Sequence, residues 1–108
     1  MTPNWEWQQQ SEGESILLVR GDLDVAVGVE FVAAVDRALA ADGAPAQVEI
    51  DLGGVEFIDS SGLRALLQVQ QNHGDRVRVS TMSDVVKRLL ELTGTLDHFL
   101  PPGSERHD

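Results

Sequence analysis

The sequence predicts a single α/β domain over residues 1–100, with a mixed, mainly parallel sheet of four to five strands and helices packed mostly on one face. Predicted strands and helices alternate along the chain. In the strands, polar residues alternate with apolar ones, and in the helices, apolar residues recur at helical spacing. The connections between them are short, which implies right-handed crossovers between parallel strands. The 108 residues are 42% hydrophobic, enough for one modest core.

The first half of the chain contains three predicted strands and one helix. Trp5 to Gln9 alternates with both tryptophans on one face, and Ile16 to Arg20 is a compact apolar run typical of a central strand. Apolar residues at helical spacing predict a helix near 28–41. Val48 to Leu52 alternates apolar with acidic residues, which predicts one buried and one exposed strand face. This exposed face is the reason to expect helices mostly on one side.

The second half continues the alternation with two helices and a short strand. We expect helices near 61–73 and 84–93, the second of them capped by Ser83, and a strand around Val77 to Val79. Residues 101–108 have little apolar surface to bury, and we interpret them as a flexible C-terminal tail.

Charge and composition exclude several classes of partner. Eighteen acidic against eight basic residues give a formal net charge of −10, so phosphate backbones and anionic lipid surfaces repel the chain. We therefore expect neither nucleic acid nor membrane among its partners. The absence of cysteine fits a reducing compartment, and the N-terminus has neither the basic nor the apolar region of a signal peptide. These features predict a cytoplasmic protein.

The most informative segment is VEFIDSSGLRALL, residues 55–67. An apolar run leads into Asp59-Ser60-Ser61-Gly62, and helical spacing follows, which places a serine hydroxyl at the N-terminus of a helix. The free amides and the positive end of the helix dipole favour an anion there. Such a hydroxyl is a capping residue, a nucleophile or a phosphate acceptor.

Catalytic chemistry has little support in the sequence. The G-x-S-x-G pattern of a hydrolase nucleophile is absent, and His73, His98 and His107 stand at a predicted helix end, near the C-terminus and in the tail. No histidines or carboxylates have metal-ligand spacing, and neither a lysine nor a helix directly follows Gly53-Gly54 to form a phosphate loop. We expect a protein that is not an enzyme and has no metal or cofactor.

Three stretches resemble the STAS domains of the anti-sigma factor antagonist (anti-anti-sigma factor) family. Gly21-Asp22-Leu23-Asp24 resembles the turn after the family's central strand, and VEIDLGGVEFIDSSGLRALL, from Val48 to Leu67, resembles its strand–loop–helix signature. VKRLLELTGTLDHFL, from Val86 to Leu100, resembles its last helix and closing segment. The resemblance covers roughly residues 5 to 100 and implies a single STAS domain.

The resemblance also implies a partner-binding site and a phosphorylation site. The family's phosphate acceptor matches Ser61, the adjoining Ser60 and Asp59 match residues that shape the loop, and Asp24 matches an acid beside the acceptor. We interpret Ser60 as the residue for a local hydrogen bond or cap, and Gly62 as a small residue that leaves a kinase room to approach.

By the same resemblance, the expected mechanism is partner switching. The unmodified antagonist, mostly monomeric when free, binds an anti-sigma serine kinase of the GHKL type and frees a sigma factor. The kinase then phosphorylates Ser61 with ATP and magnesium and releases the antagonist, and a serine phosphatase resets it. Phosphoserine adds about −1.5 to −2 charge, and we expect the N-terminal amides of the helix to accept it.

Other interpretations remain open at this point. Many antagonists have a small residue where this chain has Arg64, one helical turn from Ser61, and we interpret Arg64 as part of a solvated face. The main alternative function is an accessory STAS subunit that docks on a transporter ATPase in phospholipid trafficking. A nucleotide-sensing STAS module is a third possibility, although the sequence has no distinct phosphate cradle.

Overall fold

Four strands and three α-helices alternate along the chain, and the computed structural model describes residues 4–9 and 13–99. The order is β1 (Trp5–Gln9), β2 (Glu14–Leu23), α1 (Val25–Ala40), β3 (Gln47–Ile58), α2 (Ser60–His73), β4 (Val77–Met82) and α3 (Asp84–Thr93). Single 3-10 turns at Gly74–Arg76 and Leu96–His98 follow α2 and α3. The predicted tail, residues 101–108, lies outside the described residues.

The four strands form one mixed sheet in the order β1-β2-β3-β4. β1 pairs antiparallel with β2, while β2, β3 and β4 are mutually parallel. The predicted fold class is therefore confirmed. Leu23, the last residue of β2, is in register with Ile58, the last of β3. Because α1 and α2 follow these two strands directly, both helices begin at the same edge of the sheet.

The hydrophobic core lies on one face of the sheet, as the alternation predicted. Val48, Ile50 and Leu52 of β3 are almost fully buried, whereas Glu49 and Asp51 between them are only half-buried. The helices cover this face with their apolar stripes. Phe31 and Val35 come from α1, Leu66 and Val69 from α2, and Val86 and Leu90 from α3, and all six are buried in one cluster with the strands.

Strand β3 is longer than the alternation predicted. The predicted strand ends at Leu52, but β3 continues through Gly53-Gly54 to Ile58 and changes register with its neighbours on the way. Glycine permits this path, because a Cβ on Gly54 would lie only 2.9 Å from the Cβ of Arg20 on β2. The Asp51 carboxylate also accepts a hydrogen bond from the Gly53 amide at 2.8 Å.

The helix boundaries agree with the predicted ones to within three residues. Ser83 is the N-cap of α3, as predicted, although its side chain makes no capping hydrogen bond. Helix α1 begins at Val25, three residues before the predicted start, because Asp24 caps it. Within the described residues, every helix falls short of the length and apolar character that a membrane span needs.

Candidate functional site

The candidate site is built from two helix N-termini, each capped by an aspartate. The Asp24 Oδ1 atom accepts a hydrogen bond from the Val27 amide of α1 at 3.1 Å. The Asp59 Oδ1 atom accepts hydrogen bonds from the Ser61 and Gly62 amides of α2, both at 3.0 Å. Each cap satisfies amides that the helix itself leaves unpaired and stabilises it by about 1 kcal/mol. Both predicted site aspartates therefore have a structural role.

Of the two roles expected for Ser60, a local hydrogen bond or a cap, the structure contradicts the cap. Asp59 is the N-cap of α2, and Ser60 is the first residue of the helix, with an exposed side chain. The aspartate provides the cap because its carboxylate reaches the amides two and three residues further on.

Gly62 is buried, and the space left by its missing side chain faces other parts of this chain. A Cβ at this position would lie 2.1 Å from the carbonyl oxygen of Leu23 and 2.9 Å from Cγ1 of Ile58. Only glycine allows the start of α2 to pack this closely on the turn between β2 and α1. Gly62 thus brings the Asp24 turn and the Ser61 end of α2 together, which is the juxtaposition that the resemblance implied.

Ser61 is the second residue of α2 and is half-buried. The expectation that the helix amides receive its phosphate needs revision, because Asp59 already occupies the Ser61 and Gly62 amides. Phosphate oxygens on Ser61 would compete with a carboxylate for these donors. Arg64, exposed one turn further along α2, offers a positive charge on the same side of the helix.

An exposed groove runs between α1 and α2 and includes Ser61. Its floor is the close contact between the helices, where a Cβ on Gly28 would lie 3.1 Å from Cβ of Ala65. Its volume is about 370 Å³. The walls are formed by Val25, Val29 and Val32 from α1 and by Ser61, Arg64 and Gln68 from α2. We call this feature the α1–α2 groove.

Two apolar residues of this groove are absent from the site that the sequence predicts. Val25 and Val29 are 63% and 68% exposed, among the highest values for large apolar side chains in the described chain. A signal was available, because both valines lie four residues apart and off the stripe formed by Phe31, Val35 and Leu39. Exposed apolar residues that lie next to one another on a helix form a candidate contact surface.

The two histidines within the described residues lie away from this site. His73 is the last residue of α2, and its Nε2 atom lies 2.6 Å from the Asp36 carboxylate of α1. Because a carboxylate can only accept a hydrogen bond, His73 is the donor. The backbone carbonyl of His98 accepts a hydrogen bond from the side chain of Gln70. His107 lies outside the described residues.

Sequence comparison identifies the family. Residues 7–101 match the family model described as "Mlab, STAS domain". Because this match spans most of the 108 residues, the chain belongs to the STAS domain family. None of the curated proteins compared with the chain matches it.

Solved structures with the same fold include antagonists and a transporter protein. An anti-sigma factor antagonist from Mycobacterium paratuberculosis is 26% identical, with a TM-score of 0.73 over 88% of this chain and 80% of that one. The phosphorylated form of SpoIIAA, a Bacillus cell fate determinant, is 16% identical, with a TM-score of 0.67 over 94% and 92%. A sulfate transporter family protein from Wolinella succinogenes is 19% identical, with a TM-score of 0.69 over 86% and 76%.

Proposed function

We propose that this protein is an anti-sigma factor antagonist, which binds an anti-sigma serine kinase of the GHKL type and is released when Ser61 is phosphorylated. The observation that carries the proposal is the position of Ser61 at the start of α2, on the wall of an exposed apolar groove and next to the Asp24 turn. The similarity to the mycobacterial antagonist supports the same interpretation. The proposed setting is the cytoplasm, where sigma factors act, and the free protein is proposed to be a monomer.

In the proposed cycle this chain supplies the phosphate acceptor and the kinase supplies the catalytic groups. The Ser61 oxygen attacks the γ-phosphorus of ATP, the bond to the β-phosphate oxygen breaks, and ADP leaves. The hydroxyl proton passes to a base of the kinase, and the magnesium that neutralises the phosphates is bound by the kinase and its nucleotide. The antagonist itself is thus a substrate and not an enzyme. Hydrolysis by a serine phosphatase restores the hydroxyl.

Phosphorylation would end the complex by changing the charge of the interface. Phosphoserine brings about −1.5 to −2 charge to a surface that already contains Asp24 and Asp59. The two carboxylates are held in place by their capping bonds, so they cannot easily move away from the new charge. Repulsion and the desolvation of the phosphate then oppose renewed binding.

Phosphate transfer tests this proposal directly. Each GHKL-type serine kinase encoded in the source genome is incubated with this protein, magnesium and labelled ATP, and the modified residue is located by mass spectrometry. We expect Ser61→Ala to abolish incorporation and to preserve binding, whereas Ser60→Ala serves as the neighbouring control and remains a substrate. Incorporation into the Ser61→Ala variant but not into Ser60→Ala would move the acceptor by one residue.

A calorimetric titration tests whether the Asp24 turn contributes to kinase binding, with a variant that preserves the capping role of this residue. Asp24→Asn removes the charge but retains a good N-cap, so α1 remains capped. We expect this variant to bind the kinase more weakly than Asp84→Asn, which changes an exposed acid at the start of α3. Equal affinities in calorimetry would remove Asp24 from the interface.

The alternative, an accessory subunit that docks on a transporter ATPase, also has a specific observation in its favour. The matching family model is described as "Mlab, STAS domain", words that do not name an antagonist. This function would use the same exposed groove for permanent docking and would not need phosphorylation of Ser61. Absence of phosphate transfer from every kinase, together with co-purification of a transporter ATPase in stoichiometric amounts, would favour it.

A further inference from the structure

We infer that the α1–α2 groove is a docking site for a protein segment that presents an apolar side chain flanked by basic residues. The inference rests on the proposed function in one respect, namely that the kinase is the partner which supplies this segment. The chemistry of the segment itself follows from the groove.

The apolar part of the groove calls for an apolar anchor. Val25 and Val29 stand one helical turn apart and are 63% and 68% exposed, and the half-buried Val32 extends the same wall. The floor, Gly28 and Ala65, presents no side chain larger than a methyl group, so an incoming side chain can lie between the two helices. Pockets of this kind accept an aromatic or aliphatic anchor at the centre of an interface.

The charges around the groove specify the flanks of that anchor. Asp24 and Asp59 cap the two helices that form the groove, and the exposed Asp22 and Glu30 are close to Asp24 and Val29 in the sequence. Arg64 is the single charged residue among those that line the groove itself. The whole chain has a formal net charge of −10. A basic segment is attracted to such a surface, while an acidic segment or a second copy of this acidic chain is repelled.

The groove also explains how Ser61 phosphorylation could act on an apolar contact. Ser61 lies on the wall opposite the valines, so a phosphate there places charge at the rim of the cavity that the anchor enters. Burial of the anchor would then require partial desolvation of the phosphate. Phosphorylation therefore weakens binding at the groove itself, in addition to its effect on the Asp24 turn.

Nuclear magnetic resonance with defined peptides tests the docking site without any kinase. The ¹⁵N-labelled full chain is titrated with a short amphipathic peptide of leucines and arginines, a matched peptide with glutamates for the arginines, and one with serines for the leucines. We expect only the leucine–arginine peptide to shift the amide signals of Val25, Val29, Arg64 and Gln68, and we expect Val29→Asp to suppress the shifts.

The matched control is Leu92→Asp, which introduces the same charge at an apolar residue of α3 that is 77% exposed. This variant should retain all the shifts. Shifts elsewhere on the surface, equal shifts with the glutamate peptide, no shifts at all, or groove signals that depend on protein concentration without any peptide would each overturn the docking site. The last of these would indicate a second copy as the occupant.

The same two variants separate this inference from the proposed function. If a kinase binds, Val29→Asp should weaken its binding about thirtyfold, as loss of an interface hot spot does, and Leu92→Asp should not. A kinase that binds Val29→Asp as tightly as the unmodified protein would leave the antagonist function intact and remove the groove from it. Peptide binding at the groove without binding of any kinase would support the docking site and count against the antagonist function.

Discussion

The two ends of the α1–α2 helix pair are built in different ways. Gly28 faces Ala65 near the start of the pair and Asp36 faces His73 near its end, so the helices run parallel. At the end of the pair, polar side chains connect the two helices across their surface. At the start, the side chains between the helices are small, the neighbouring valines are exposed, and each carboxylate serves only its own helix.

The difference shows which end is available to a partner. At the far end, the His73 side chain bonds Asp36, and the Arg76 guanidinium donates to the carbonyl oxygens of Leu39 at 3.4 Å and Pro45 at 3.1 Å. Those groups are engaged within the molecule. At the start of the pair, the helices are positioned by backbone packing at Gly62, and Val25 and Val29 remain exposed.

The largest effect should come from Gly62→Ala. The new Cβ would lie 2.1 Å from the Leu23 carbonyl oxygen. This oxygen belongs to the backbone at the end of β2, which cannot shift without moving the strand. We expect a loss of about 3 kcal/mol or more in the free energy of unfolding, at the upper end of the cost of overpacking. Urea denaturation measures it.

Gly28→Ala is the matched control for that substitution. Its Cβ would approach the Ala65 methyl group to 3.1 Å, a contact that a small shift of the helices relieves, and alanine is the better helix former. We expect a change within about 1 kcal/mol for this reason. Similar losses for both variants would mean that the start of the pair is no more tightly fixed at Gly62 than along the rest of the groove.

A smaller effect is expected from Asp59→Ala. This change leaves the Ser61 and Gly62 amides without their acceptor and should lower the free energy of unfolding by about 1 kcal/mol. Asp59→Ser keeps a capping oxygen and should recover most of that loss. A serine variant as unstable as the alanine variant would indicate that the charge of Asp59, and not its cap, stabilises α2.

Asp36→Ala tests the polar end of the helix pair. The Asp36 side chain is 44% exposed, so the contact with His73 is partly screened by water, and we expect a loss of only about 0.5 kcal/mol. Binding of the proposed kinase partner should be unchanged, because this end of the pair is far from Ser61. A variant that unfolds at unchanged urea concentration but binds more weakly would contradict the division between the two ends.

The sequence patterns predict the helices, the strands and their buried faces well, but they do not predict close contacts between backbone segments. The paired serines and the acid before them are recognisable in the sequence because capping residues and helical stripes are local features of the chain. The approach of Gly62 to Leu23 depends on the register of β2 with β3, which no local pattern contains. For the same reason the sequence predicts that β3 ends before Gly53-Gly54. In the sheet, Gly54 pairs with Arg20 of β2, and the closeness of the Arg20 side chain explains why glycine is needed at position 54.

The sequence does not predict the groove, for a different reason. Helical spacing assigns apolar residues of α1 to the core and gives no role to Val25 and Val29, which do not fit the core stripe. Their exposure becomes meaningful only when α2 is placed beside α1 and Ser61 faces them. A tertiary contact between two helices was needed to join the serine with its apolar surroundings.

The smallest effect on stability should come from Ser61→Asp, although it changes the start of the pair most directly. An acidic side chain in the first turn of α2 interacts favourably with the helix dipole. Asp59 has already taken the two nearest amides, so this gain is partly offset by repulsion between the carboxylates. We therefore expect a thermal midpoint close to that of the unmodified protein, together with weaker kinase binding, because the charge stands on the wall of the groove.

Ser60→Asp, which places the same charge on the exposed first residue of α2, is the control and should bind more nearly normally. Calorimetry and thermal denaturation of the two variants decide the point. Equal loss of affinity would show that any negative charge at this helix start suffices, whereas a large fall in the midpoint for Ser61→Asp alone would mean that the start of α2 cannot hold a second anion without loss of structure.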